Sequence, residues 1–192
     1  MNAYSICGYL WTAWVAIWFL WALQSKQTRQ REGLASQISY RVPIAVAIWL
    51  ILYARHLSPW WTGNILPYRG WFGWLGVAIT VLGFALTFWA RAILGGNWSG
   101  VVTIKVNHEL IRTGPYRFVR HPIYTGILLA MAGSALVYDQ WRSVVGVALL
   151  GVSFTIKRLK EEQFMRQTFG AQYDDYARTT GAIFPSLQRR NG

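Results

Sequence analysis

The stretch WFGWLGVAITVLGFALTFWA occupies residues 71–90 and contains no charged side chain over its whole length. About 20 consecutive apolar residues are enough for a helix to cross the hydrocarbon core of a bilayer. Arg91 follows at once, and Trp71 stands at the other end, where aromatic side chains commonly mark a membrane interface. This stretch therefore predicts a transmembrane helix.

Four further charge-free runs surround it, at residues 6–23, 42–54, 122–138 and 143–156. The first is long enough to cross a bilayer, and it lacks the basic segment and small-residue cleavage motif of a signal peptide. The other three are shorter and need flanking Trp, Tyr, Arg or Lys, so a buried helix or a re-entrant hairpin is their alternative. We expect an all-α integral membrane protein with about five transmembrane helices.

The composition and charge of the chain support a membrane protein over a soluble one. Hydrophobic residues make up 54% and charged residues 14% of the sequence, whereas typical soluble domains carry about 25% charged residues. The formal charge is +12, and 15 of the 19 Lys and Arg lie in residues 24–41, residues 95–121 and the tail from Lys157. Because basic loops stay in the cytoplasm, we expect an outside N-terminus, an inside C-terminus and a cytoplasmic site in an inner or plasma membrane. Topology explains the charge, so no nucleic-acid partner is expected.

Cysteine and histidine usage argues against metal or disulfide chemistry. Cys7 is the only cysteine, which excludes an intramolecular disulfide and a CxxC site. The three histidines lack the paired spacing of metal ligands, so we expect no metal.

The longest polar segment between two runs ends in GPYRFVRHPIY, residues 114–124. Proline suits the first turn of a helix and pushes the preceding residue out of helical conformation. Arg120 and His121 are therefore expected at the N-terminal mouth of the helix that begins at Pro122. Free backbone N–H groups at such a position attract carboxylates and other anions.

A second polar cluster, KRLKEEQF, follows the last run at residues 157–164. If the helix continues, Lys157 and Glu161 stand four residues apart on one face. A solvated helix face, with the glutamates balancing nearby basic residues, is the ordinary interpretation of such a cluster. The cluster alone does not predict a site.

The two clusters together resemble the isoprenylcysteine carboxyl methyltransferase family, within a wider group of membrane methyltransferases that includes phospholipid N-methyltransferases. The resemblance covers about residues 95–185. It rests on the GPYRFVRHPIY run, the Glu161–Glu162 pair, Phe169-Gly170 with Tyr173, and the closing Phe184-Pro185.

The resemblance implies a pocket for S-adenosylmethionine, formed by the cytosolic loop and the C-terminal helices. It implies three transmembrane helices in residues 1–94, and a cofactor-binding loop, a transmembrane hairpin and a cytosolic helix in residues 95–192, all in one structural domain. The cofactor contacts it implies are His108, Leu110, Ile111, Tyr116, Arg120, His121, Tyr124 and Glu161. The catalytic residues it implies are Lys157, where members carry an arginine near the methyl-accepting carboxylate, and Arg120.

The expected function is S-adenosylmethionine-dependent methyl transfer to a lipophilic or lipidated acceptor from the bilayer, with S-adenosylhomocysteine as product and membrane lipids as neighbours. Three alternatives stay open: a phospholipid or amine N-methyltransferase of the same fold, a nicotinamide-dependent sterol-type reductase, and a non-enzymatic membrane binding or assembly protein. The residues do not choose between O- and N-methylation, because a carboxylate needs only alignment whereas an amine must also lose a proton.

Overall fold

The computed structural model describes residues 1–52, 59–66, 70–105 and 109–186. Helices form most of this part of the chain. They are α1 (Ala3–Ala22), α2 (Leu34–Leu52), α3 (Pro59–Thr62), α4 (Gly70–Leu94), α5 (Pro122–Tyr138), α6 (Trp141–Phe169) and α7 (Ala171–Thr179). Two short strands, β1 (Thr28–Arg31) and β2 (Thr103–Lys105), pair antiparallel.

Three helices are long and apolar enough to cross a membrane: Ala3–Ala22, Leu34–Ile51 and Gly70–Asn97. The apolar helix Pro122–Tyr138 is shorter, and α6 continues from its apolar half into the charged cluster at residues 157–164. The predicted helical membrane fold is confirmed, while the count of five spans stays a prediction.

Two local predictions need correction. The predicted all-α fold is not purely helical, because residues 28–31 form β1 against β2. The second membrane helix begins at Leu34 rather than near residue 42, and it carries Pro43 inside. Arg41 and Pro43 favoured a loop for the residues before 42, because proline disfavours a helix interior. Packing of α2 against α6 nevertheless stabilises these residues as helix.

Helices α4 and α5 contact each other backbone to backbone through glycines on both sides. A Cβ atom on Gly83 would lie 2.5 Å from the Gly126 carbonyl oxygen, and one on Gly133 would lie 2.5 Å from the Gly76 carbonyl oxygen. Small residues permit such close approach between membrane helices. Gly151 of α6, by contrast, faces only a methyl group of Leu128 at 4.0 Å.

The C-terminal segment folds back onto the polar loop before α5. Gly170 takes a positive φ of 51° between α6 and α7, a conformation that glycine adopts at little cost. The backbone N–H groups of Arg120 and His121 then donate to the carbonyl oxygens of Gly181 and Ala182, at 2.8 and 2.9 Å. These contacts bring α7 and the GPYRFVRHPIY segment to the charged end of α6.

Candidate active site

A cavity of about 320 Å³ lies where the polar loop, α7 and the charged end of α6 meet. Small-molecule sites commonly occupy about 300–1,000 Å³. The predicted residues that line this cavity are Leu110, Ile111, Tyr116, Arg120, His121, Tyr124, Lys157 and Glu161. His108, the remaining predicted contact, lies outside the described residues. The structure thus brings eight of the predicted residues together, and their roles stay predictions.

Glu161 is a carboxylate that faces the cavity. The Tyr124 hydroxyl donates to its Oε1 at 2.6 Å, and His121 Nδ1 lies 3.5 Å from its Oε2. The ammonium of Lys157 lies 3.9 Å from Oε1. Burial alone would raise the pKa of Glu161, but the His121 hydrogen bond and the Lys157 charge lower it below its usual value. The cavity therefore contains an ionised carboxylate.

Glu162 is buried, so the interpretation of this pair as a solvated helix face is wrong for it. Its Oε1 accepts from Arg120 Nε at 3.2 Å and Nη2 at 2.8 Å, and lies 3.1 Å from His121 Nε2. Burial would raise the pKa of Glu162, but the hydrogen bonds from His121 and Arg120 lower it to about 2. Glu162 is thus an ionised carboxylate behind the cavity that holds Arg120 and His121 in place.

Arg120 lines the cavity, but most of its donors already have partners. Besides Glu162, its Nη1 donates to the carbonyl oxygens of Ala177, at 3.0 Å, and Thr180 at the end of α7. A guanidinium has five N–H donors, and four contacts hold the loop, α6 and α7 together. This geometry favours a positioning role for Arg120, and its predicted catalytic role stays a prediction.

The His121 ring lies between the two glutamates and stacks in parallel on Tyr124, with 5.4 Å between ring centroids. Burial lowers the pKa of His121, but hydrogen bonds to Glu161 and Glu162 and their charges outweigh it and raise the pKa above its usual value. The raised pKa favours the imidazolium, which is a poor general base because it already holds its proton.

Lys157 is a buried ammonium beside Glu161. It donates to the Gly100 carbonyl oxygen at 3.0 Å, and its Nζ lies 5.5 and 5.3 Å from the ring centroids of Tyr40 and Tyr124. Aromatic faces within about 6 Å attract cations. Burial lowers the pKa of Lys157 and the charge of Glu161 opposes that shift, so the carboxylate beside it favours the charged form of this amine at the cavity wall.

Several cavity residues were not predicted. Glu109 and Tyr176 line the cavity, and the Tyr176 hydroxyl donates to the Tyr116 carbonyl oxygen at 2.6 Å. Tyr173 belonged to the FGxxY motif, and Tyr176 follows it by three residues on the same face of α7. That spacing was the signal in the sequence that could have identified Tyr176.

Similarity to known proteins agrees with this geometry. Residues 75–167 match the model of the isoprenylcysteine carboxyl methyltransferase (ICMT) family. A probable protein-S-isoprenylcysteine O-methyltransferase of Oryza sativa subsp. indica is 31% identical over 122 residues, which are 62% of this chain and 64% of the relative. Protein-S-isoprenylcysteine O-methyltransferase B of Arabidopsis thaliana is 27% identical over 166 residues, which are 85% of this chain and 78% of the relative. The chain is therefore similar to the ICMT family, most clearly over residues 75–167.

The fold agrees with that of a solved ICMT structure. The chain is similar to the eukaryotic intramembrane Ras methyltransferase ICMT, with a TM-score of 0.54 and 21% identity over 80% of this chain and 54% of that chain. At this identity the likeness concerns the fold alone. The chain spans about 64% of the length of the rice relative.

The segment that matches the ICMT family model supplies part of the cavity. It includes α5 and almost all of α6, and with them Arg120, His121 and Glu161. The aromatic wall from Tyr173 and Tyr176, and the contacts of Tyr40, come from outside residues 75–167. The cavity is completed from both sides of the matched segment, by Trp18 before it and by Tyr173 and Tyr176 after it.

Proposed function

We propose that this chain is an S-adenosylmethionine-dependent methyltransferase that acts on the carboxylate of a lipophilic acceptor, with a prenylated cysteine as the first acceptor to test. The observation that carries the proposal is the pairing of Glu161 and Lys157, 3.9 Å apart, in one cavity of suitable size. The names of the rice and Arabidopsis relatives, both protein-S-isoprenylcysteine O-methyltransferases, support it.

The cavity residues fit the chemical groups of S-adenosylmethionine. Its ammonium needs a carboxylate, which Glu161 offers, and its adenine needs apolar and aromatic surface, which Trp98, Ile111 and Tyr173 offer. The faces of Trp98 and Tyr116 suit a sulfonium cation. When bound, this cofactor supplies an electrophilic methyl group.

Charge in the cavity favours an anionic acceptor over an amine. The Lys157 ammonium attracts a carboxylate and repels an amine that arrives protonated. A carboxylate attacks without a general base and needs only alignment and loss of water. An amine would need a base, and the raised pKa of His121 makes that residue unsuited to the task. We therefore favour O-methylation, with Lys157 as the residue that orients the acceptor.

The apolar part of the cavity wall supports a lipophilic acceptor. It consists of side chains from four apolar helices: Trp18 of α1, Leu94 of α4, Ile127 of α5 and Phe154 of α6. An isoprenoid chain buries apolar surface against such residues at about 25 cal/mol per Å². The acceptor would enter from the bilayer between helices, and the cofactor from the cytoplasm, with the C-terminus on the same cytoplasmic side.

Titration calorimetry of the detergent-purified protein with S-adenosylhomocysteine tests the cofactor half of the proposal. We expect saturable binding that weakens at least about tenfold in Glu161→Gln, since a lost charge-assisted hydrogen bond costs about 1.5–3 kcal/mol. Asp175→Asn is the matched control, because that exposed carboxylate pairs only with Arg178 in the described contacts. Binding of a reduced nicotinamide cofactor in place of S-adenosylhomocysteine would instead favour the reductase alternative.

Methyl transfer to defined acceptors tests the other half. We expect transfer from labelled S-adenosylmethionine to N-acetyl-S-farnesylcysteine and none to vesicles of phosphatidylethanolamine. Loss of transfer in Lys157→Met, with transfer retained in part in Lys157→Arg, would support Lys157 as the acceptor contact. Methylation of the phospholipid amine alone would overturn the assignment of a carboxylate acceptor.

A further inference from the structure

Glu32 is a buried carboxylate in the segment between α1 and α2, more than 40 residues before the part of the chain that matches the ICMT family model. Its side chain accepts hydrogen bonds from three groups. The Tyr40 hydroxyl and the Val102 backbone N–H donate to Oε1, the latter at 3.3 Å, and the Ser36 hydroxyl donates to Oε2 at 2.7 Å. The backbone N–H of Glu32 also donates to the Val102 carbonyl oxygen at 3.1 Å.

Two of these contacts lead directly to the surroundings of Lys157. The ring of Tyr40, whose hydroxyl Glu32 holds, lies 5.5 Å from Lys157 Nζ. Val102, which Glu32 holds by its backbone, is two residues from Gly100, whose carbonyl oxygen accepts from Lys157 at 3.0 Å. Glu32 therefore fixes two of the groups that surround the Lys157 ammonium, although it is distant in sequence.

Other hydrogen bonds keep this arrangement in register with α6. The Ser153 hydroxyl, one turn before Lys157 on that helix, donates to the Tyr40 carbonyl oxygen at 2.6 Å. Lys160 Nζ donates to the Ser36 hydroxyl and the Ser36 carbonyl oxygen, at 2.8 and 2.7 Å. Because buried polar groups in one network restrain each other, a change at Glu32 reaches Lys157 through fixed partners.

We propose that Glu32 is a positioning residue of the candidate active site, which holds the Tyr40 ring and the 100–102 backbone around the Lys157 ammonium. The N-terminal third of the chain then supplies part of the site's electrostatics as well as its membrane helices. The role of Lys157 in methyl transfer rests on the proposed function, whereas the contacts of Glu32 do not.

The charge of Glu32 gives this role a measurable consequence. Lys157 directly follows the apolar run at residues 143–156. Burial and the charge of Arg41 lower the pKa of Lys157, whereas the charges of Glu161 and Glu32 raise that pKa. The rings of Tyr40 and Tyr124 face the same ammonium. Removing the Glu32 charge should therefore lower the pKa of Lys157 further, so that the amine loses its proton at lower pH.

Competitive acylation of the amines with acetic anhydride across a pH series, read at each lysine by mass spectrometry, measures this directly. Lys26, whose side chain is 38% exposed, serves as the internal reference for reagent concentration. In Glu32→Gln, which keeps the reach of the side chain, we expect the labelling midpoint of Lys157 to fall by about 0.5 pH unit or more. A carboxylate in direct contact with an ammonium would raise the pKa of that ammonium by about 1 unit or more.

Glu32→Asp is the second variant, because it keeps the charge but draws the carboxylate away from Tyr40 and Val102. We expect a smaller fall of the Lys157 midpoint in this variant and none in the surface control Asp175→Asn. If both Glu32 variants fold and leave Lys157 unchanged, Glu32 merely joins two loops and the proposal is overturned.

The labelling experiment requires neither cofactor nor acceptor, so its outcome is independent of the proposed function. Failure of wild-type protein to bind S-adenosylhomocysteine would remove the methyltransferase assignment and leave the indirect effect of Glu32 on Lys157 testable. Conversely, if the wild type binds the cofactor normally but the Glu32 variants leave the labelling midpoint of Lys157 unchanged, only the positioning role of Glu32 is removed.

Discussion

Replacing Glu162 by glutamine should destabilise the protein by about 3 kcal/mol. The carboxylate is 4% exposed and pairs with Arg120 at 2.8 Å and His121 at 3.1 Å. Its pKa of about 2, against an ordinary 4.5, corresponds to about 3 kcal/mol of preference for the ionised form in the folded state. Loss of one partner of a buried pair typically costs about 3–5 kcal/mol, so the two lines of reasoning agree.

Thermal unfolding can be followed with a thiol-reactive fluorophore, because the single cysteine, Cys7, is buried until the bundle opens. About 3 kcal/mol corresponds to a fall in Tm of roughly 6–12 °C for a chain of this size. Asp174→Asn is the control: it breaks the exposed pair with Arg166, which should contribute at most about 1 kcal/mol. A Tm for Glu162→Gln within 1–2 °C of that control would refute the reasoning.

The acid limb of stability provides a second readout of the same residue. A carboxyl group with a depressed folded-state pKa stabilises the protein above its unfolded pKa, and this contribution is lost as the pH falls through the folded pKa. For Glu162 the window is between about pH 4.5 and 2. We expect wild-type stability to fall more steeply in this window than that of Glu162→Gln.

Three further predictions concern other parts of the chain. Gly83→Ala should lower stability by about 1–3 kcal/mol, because its Cβ would lie 2.5 Å from the α5 backbone. In the same thermal assay Gly151→Ala should have little effect, because its Cβ would have no neighbour nearer than 4.0 Å. Because the pKa of His121 is raised in the folded state, its contribution to stability is complete below the usual pKa of histidine and is lost as the pH rises through the folded-state pKa. In pH-dependent unfolding, His121→Gln should therefore show a smaller loss of stability over this pH range than the wild type. A protease site added after residue 192 should be cut in inside-out vesicles and protected in intact cells, and cleavage in intact cells would reverse the orientation.

The helices and the polar clusters were predictable because their causes are local. An apolar run long enough to cross a bilayer needs no distant partner to be recognised, and Pro122 marks the start of α5 within one turn. Arg120, His121 and Tyr124 could be identified as one group because they precede or begin the same helix. Lys157 and Glu161 followed from helical spacing once α6 was known to continue.

The rest depends on contacts between distant parts of the chain. Glu162 looked solvated because nothing in its own helix predicts that α7 returns over it after Gly170. Glu32 could not be connected to the site, because its partner Val102 is 70 residues away and the pairing of β1 with β2 has no local pattern. Sequence periodicity describes one element at a time, and the burial of these carboxylates arises only when several elements meet.

The continuity of α6 links the reactive groups to the lipid environment. At 1.5 Å per residue, the part of α6 from Lys157 to Phe169 extends about 20 Å beyond the apolar run at residues 143–156. Helices adjust to bilayer thickness by tilting, and a tilt of about 10° would move the far end of this part by roughly 3 Å. Glu161 contacts Tyr124 at 2.6 Å and His121 at 3.5 Å, both outside α6, so a movement of α6 relative to α5 would lengthen these contacts. We expect bilayer thickness to affect this site, and the proposed methyl transfer in vesicles of graded acyl-chain length would measure that effect.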